Sequence, residues 1–197
     1  MSGITLWNYF SACLSSTSNT FIINASIFGK IYFPRLVIPI SIVLSNLIRL
    51  GIQFGLLLLT MGWYHVHGYP MQIGFSWLWI PVLVLLIAGI GLGLGIISSS
   101  LTTKYRDLAI LMTFIVQLWM YVTPIGYPMS YLQHSKFKMF ISLNPLSSIV
   151  ESFRYALFHK GIFDGSGLLY SFIFMLVCLI VGLIIFSKVE KSFMDTV

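Results

Sequence analysis

The chain has 197 residues, of which 58% are hydrophobic and 8% charged, and its mean hydropathy is +0.95. A soluble domain carries about a quarter charged residues, so water is excluded as the main solvent. Eleven Lys and Arg against five Asp and Glu leave +6, but these charges fall between apolar runs, which excludes a nucleic-acid surface and marks the ends of membrane spans.

At roughly 20 residues per crossing, the length suits a single membrane domain, residues 1–197, of about four or five spans. The opening MSGITLWNYF lacks the zones of a cleaved signal peptide, so insertion is expected to use the first span. That span is the weakest: Leu6 to Ile23 is interrupted by Ser11, Ser15, Ser16, Thr17, Ser18, Asn19 and Thr20, a composition that must face other helices rather than lipid. Lys30 and Arg35 follow, and then a strong span from Val37 to Gly62. Arg49 lies near its middle, where a charge costs on the order of 2.5 to 3.5 kcal/mol on insertion scales. Ser41, Ser45, Arg49 and Gln53 recur every four residues with Asn46 beside them, which predicts a polar stripe pointing into a bundle or a wet cavity. A packing role for Arg49 and a role in a permeation path both fit.

The loop from Trp63 to Ser76 carries His65 and His67 but no Lys or Arg, as expected on the side opposite the basic loops. Two histidines without an acidic or cysteine companion do not make a metal site. The next span, Trp77 to Ser99, holds Gly89, Gly91, Gly93 and Gly95, two glycine faces with the spacing that lets helix backbones approach. No GK[ST] follows, so no phosphate loop is formed. Lys104 and Arg106 precede a third strong span, Ala109 to Met129, whose exit is rich in aromatics and broken by Pro124 and Pro128. Its rings, Phe114, Trp119, Tyr121 and Tyr127 with Tyr131 beyond, suit an interfacial belt or the stacking of sugar rings.

Ser130 to Gly167 should lie outside, yet contains Lys136, Lys138, Arg154 and Lys160. Within it Met139 to Leu157 is apolar but broken at Asn144-Pro145, which predicts a re-entrant helix pair with Asn144 as N-cap and Pro145 at the first helical position of the second member. Glu151 and Arg154, three apart, can pair on that helix. The last span is Leu168 to Ser187, followed by Lys188 and Lys191. Cys13 and Cys178 sit in apolar stretches and read as buried thiols. Neither a Ser/His/Asp or Cys/His set nor a pair of intramembrane carboxylates appears, which speaks against an enzyme. The expected fold is all-α, a polytopic transmembrane helix bundle of about five spans with the re-entrant pair near the outer face.

Gly29-Lys-Ile-Tyr-Phe-Pro-Arg35 with Leu-Val-Ile-Pro-Ile-Ser41 resembles the permease subunits of bacterial ABC transporters that export O-antigen, capsule or teichoic-acid polymers. The likeness continues through Lys104-Tyr-Arg-Asp107, Gln117-Leu-Trp-Met120, Pro124-Ile-Gly-Tyr-Pro128, Leu143-Asn-Pro-Leu146, Glu151-Ser-Phe-Arg154 and Val189-Glu-Lys-Ser-Phe-Met-Asp195. It implies an N-terminally truncated permease that lacks the family's amphipathic helix and first span. It implies that Lys30, Tyr32, Phe33, Pro34 and Arg35, and Lys104, Tyr105, Arg106 and Asp107, are cytoplasmic loops coupling to an ATP-binding partner. It makes Arg49, Trp119, Tyr121, Pro124, Tyr127, Pro128, Asn144, Pro145, Glu151 and Arg154 candidates for channel or gate. The resemblance further implies two permease chains, two copies of the ATP-binding subunit that carry ATP and Mg, no cofactor on this chain, a lipid-linked glycan as cargo, and a cytoplasmic C-terminus in the bacterial inner membrane. A type-2 permease for a drug, haem or small lipid, and an inactive truncated subunit, are the alternatives.

Overall fold

The computed structural model describes residues 1–23, 36–67, 74–105, 107–127, 129, 141–159 and 163–194. Among them the chain is helical, without a strand: α1 (Ser2–Ser18), α2 (Thr20–Ile23), α3 (Val37–Val66), a 3-10 turn (Phe75–Trp79) running into α4 (Ile80–Lys104), α5 (Leu108–Val122), α6 (Pro145–Phe158) and α7 (Gly165–Met194). Three stretches are long and apolar enough to cross a membrane: Val37–Val66, Phe75–Thr103 and Gly165–Val189. At 1.5 Å per residue, the 30 residues of α3 reach about 45 Å. The 17 residues of α1 and the 15 of α5 fall just short of the usual crossing length.

The expected weak span begins earlier, at Ser2, and breaks at Asn19 into α1 and the single turn of α2. As its serines and threonines required, α1 lies inside the bundle: Leu6, Phe10 and Cys13 are fully buried. The glycines of α4 explain how close its neighbours come. A Cβ on Gly95 would stand 2.6 Å from Thr17 Cβ, and one on Gly91 3.1 Å from Cys13 Cβ, so this face takes α1. On the other face a Cβ on Gly93 would meet the Cys178 backbone at 2.9 Å, and Gly182 of α7 in turn faces the Gly93 carbonyl. Glycine removes the side chain that would hold the axes apart, and dispersion between backbones replaces it. The pairs run in step, Gly91 with Cys13 and Gly95 with Thr17, so α1 and α4 are parallel, and Gly89 with Met175 before Gly93 with Cys178 makes α7 parallel to both.

This trunk has two ends. At one, α4 closes at Lys104 and α7 runs on through Lys188, and the Thr102 hydroxyl donates to the Ser18 carbonyl at 2.8 Å, tying the ends of α1 and α4 together. At the other lie the start of α1, the 3-10 turn and α6. Helix α3 packs on the trunk through Pro39, Val43, Leu50, Leu57 and Met61, a stripe close to the helical period, and the Tyr9 hydroxyl donates to the Val43 carbonyl at 3.4 Å.

One expectation needs correction, and a second is narrowed to one of its two alternatives. The third strong span was placed at Ala109 to Met129, but the helix stops at Val122: Pro124 has no N–H to donate and forces Thr123 into an extended conformation, φ −91° and ψ 134°. The polar stripe of α3 does not point into this chain's own bundle. Ser41, Ser45 and Arg49 are exposed, about 200° around the helix from Val43 at 100° per residue, and only Gln53 and Asn46 are half-buried.

Candidate functional site

Where α5 ends, its last carbonyls and the irregular backbone of residues 123–127 lack helical partners. In a hydrocarbon setting each such group costs several kcal/mol unless protein covers it. The second expected re-entrant helix, α6, supplies the cover. Asn144 caps it as its Asn-Pro sequence predicts: Oδ1 accepts from the Leu146 N–H at 3.1 Å, with Pro145 in the first turn. The same side chain turns outward with its other end, donating from Nδ2 to Thr123 Oγ1 at 2.9 Å, while that hydroxyl donates to the Trp119 carbonyl at 3.0 Å.

About two helical turns later stands the pair Glu151 and Arg154. Arg154 donates to Glu151 Oε2 at 2.7 Å, to the Pro124 carbonyl at 3.0 Å, to the Ile125 carbonyl at 3.1 Å and to the Tyr127 carbonyl at 3.3 Å. The planar guanidinium presents several donors in a fixed fork, so one side chain caps three carbonyls while the carboxylate neutralises its charge. Both groups are well covered, with side-chain exposures of 3% for Glu151 and 13% for Arg154. Gly3 at the start of α1 closes the junction, since a Cβ there would stand 2.6 Å from the Ile125 carbonyl oxygen.

Helix α6 is itself buried along most of its length although it carries Ser147, Ser148, Glu151 and Ser152. Its first turn is fastened to α7: the Ser171 hydroxyl lies 2.6 Å from the Pro145 carbonyl and 3.0 Å from Ser148 Oγ, and Ser148 reaches the Gly167 carbonyl at 3.0 Å. Asp164 caps α7, accepting from Ser166 Oγ at 2.6 Å and from the Gly167 N–H at 3.1 Å. These bonds, the Ser166 hydroxyl foremost, hold its carboxyl below the usual carboxylate range.

The structure therefore brings together Pro124, Tyr127, Asn144, Pro145, Glu151 and Arg154 in one junction. It does not add the other channel candidates to it. Trp119 packs its ring edge-on against Phe10 at 5.5 Å, within the trunk. Tyr121 stands 79% exposed, and Arg49 is exposed on α3. Of the expected coupling residues, Tyr105 and Asp107 are exposed and flank the start of α5, where Asp107 occupies the N-cap position, and Lys104 ends α4. Lys30, Tyr32, Phe33, Pro34, Arg35 and Arg106, the gate candidate Pro128, and most of the first member of the re-entrant pair lie outside the described residues. Sequence reasoning missed Thr123, Gly3 and the Ser148–Ser171 fastening. Thr123 carried a signal in its place before a proline, whereas the other two depend on which helices meet.

A family model for ABC-2 type transporters matches residues 1–158. The chain is 33% identical over 197 residues to an O-antigen export system permease protein RfbA of Klebsiella pneumoniae, covering 99% of this chain and 73% of that one. A second RfbA permease of Klebsiella pneumoniae is 31% identical over 196 residues with the same coverage. The Myxococcus xanthus O-antigen export system permease RfbA is 24% identical over 165 residues, 80% of this chain and 59% of the relative.

Proposed function

Since the chain belongs to the ABC-2 type transporter family, we propose that it is the membrane-spanning permease of an ATP-driven exporter that carries a lipid-linked polysaccharide of the O-antigen kind out across the bacterial cytoplasmic membrane. The observation that carries this reading is likeness over 99% of the chain to permeases named for O-antigen export. It is a multi-pass membrane protein and a transport subunit. Permeases of this family work with an ATP-binding subunit, and ATP chemistry is assigned to that partner.

Two copies of the chain face one another and form the path between them, each served by one copy of the ATP-binding subunit. The support within the fold is the outer face of α3. An arginine near the middle of a membrane-length helix costs on the order of 2.5 to 3.5 kcal/mol facing lipid, and among the described residues Arg49 is exposed, without a partner from its own bundle. A second copy across a water-filled path supplies one. The end of the trunk bearing Lys104 and Lys188 lies in the cytoplasm, following the excess of Lys and Arg there, with the loops holding residues 30–35 and 104–107 docking on the partner and the C-terminus on the same side. The α5–α6 junction then lies at the outer face, where Arg154 and Asn144 hold the broken end of α5 as part of the outer gate.

The test is deletion in the native bacterium. Loss of surface polysaccharide with lipid-linked glycan accumulating inside, both reversed by the restored chain, is expected. Unchanged surface polysaccharide in the deletion strain would refute the reading.

A further inference from the structure

Beside the junction, at the same end of the molecule, the 3-10 turn and the end of α6 enclose a cleft of about 140 Å³ lined by Ser76, Trp79, Tyr155, Ala156 and Phe163. Three rings converge on it: Phe163 lies 5.5 Å from Trp79 and 5.9 Å from Tyr155, centroid to centroid, tilted rather than stacked flat. His159 adjoins the cleft through both walls, its ring 5.7 Å from Tyr155 and its Nε2 3.3 Å from Ser76 Oγ.

The backbone is shaped to hold that imidazole. His159 ends α6 in the left-handed region at φ 52°, the one non-glycine residue with positive φ among those described, the conformation in which many helices close. Opposite it, a Cβ on Gly74 would stand 2.9 Å from Nε2, so glycine makes the approach possible. Among the described residues, His159 Nδ1 and the indole Nε1 of the neighbouring Trp77 are buried without a hydrogen-bond partner.

An ordinary aromatic belt turns its rings outward to lipid headgroups. Here Trp79 and Phe163, although partly exposed, pack tilted against one another and line a concave space together with Tyr155 and the Ser76 hydroxyl, the make-up of a small-ligand site with apolar walls and a polar group. A lipid tail would use the walls and leave the polar edge idle. A pyranose uses both, laying its C–H face on an aromatic ring and offering a hydroxyl to Ser76, whose Oγ the His159 imidazole holds in place. We infer that this cleft is a saccharide subsite that holds one hexose residue of the exported glycan at the outer end of the bundle. The inference rests on the polysaccharide-export reading above.

The experiment is saturation-transfer NMR on the full chain with its ATP-binding partner in nanodiscs, using the methyl glycosides of glucose, galactose, mannose and rhamnose as probes. Transfer to the ring protons of at least one glycoside is expected, weakened about tenfold in Trp79→Ala and restored in Trp79→Phe. Ser76→Ala, a small change at the rim, lowers transfer as well and serves if Trp79→Ala does not insert. Absence of transfer from all four glycosides, or transfer unaltered in the variants, overturns the assignment. The two readings fail separately: if the chain restores surface polysaccharide to a deletion strain yet no glycoside binds, only the cleft assignment falls. If it restores none, the export reading itself falls.

Discussion

Arg154 and Arg49 set two regions of the molecule side by side. In the α5–α6 junction, Arg154 is covered and its donors are used within the chain, on one carboxylate and three carbonyls. On α3, Arg49 is exposed and, among the described residues, has neither a hydrogen-bond nor an ion-pair partner. Both stand in a chain whose solvent is hydrocarbon. A satisfied charge tells what the fold needs to hold itself together, and an unsatisfied one tells what the fold expects from outside.

The largest effect comes from breaking the satisfied arginine. Arg154→Leu removes the ion-pair partner of buried Glu151 and frees three carbonyls, a loss of about 3–5 kcal/mol, read as a sharp fall in the thermal midpoint of the purified chain or in its membrane level. The double variant Arg154→Leu with Glu151→Leu removes the carboxylate as well and recovers part of that loss. If it falls as far as the single variant, the carbonyl caps rather than the ion pair carry the stability.

Next in size is the trunk that frames both arginines. Gly93→Leu drives a side chain into the Cys178 backbone, 2.9 Å from where its Cβ would sit, for about 1–3 kcal/mol or more, measured in the same way. Gly51→Leu on exposed α3, where nothing lies within 4 Å of the added Cβ, leaves the midpoint unchanged. Equal effects at both positions would remove the distinction between packed trunk and open face.

A smaller loss, about 1 kcal/mol, is expected for Asn144→Ala, which removes the cap of α6 and its bond to Thr123. Smallest is Asp164→Asn. Because the folded carboxyl titrates below its unfolded value near 4, its contribution is present above that pH and fades as pH falls through the lower, folded value. The difference between wild type and variant should be visible at neutral pH and shrink toward zero in acid. A constant difference would mean that the charge of Asp164 plays no part in capping.

Much of this contrast was readable from local sequence. Asn144-Pro145 announced a capped helix start, the three-residue step from Glu151 to Arg154 announced a pair, and four glycines in alternation announced two close helix contacts. These signals depend on neighbours a few residues away. The carbonyl partners of Arg154 were not readable, because they come from a segment some 30 positions earlier, brought near only when α6 folds back under α5. The direction of the Arg49 stripe stayed open between bundle and wet cavity for a related reason: periodicity shows that a polar face exists, and packing decides whether it looks into its own bundle or away from it. Pro124 announced a break near the end of α5, but the apolar run that continues past it concealed that the helix stops at Val122.

The central claim, that the exposed face of α3 belongs to the path of a polysaccharide exporter, is tested most directly by surface polysaccharide in cells carrying Arg49→Leu, with Arg49→Lys as the charge-keeping control. The account predicts that Arg49→Leu reaches the membrane at wild-type level with an unchanged thermal midpoint, loses surface polysaccharide, and leaves the lysine variant partly active. Wild-type surface polysaccharide in Arg49→Leu cells would contradict it.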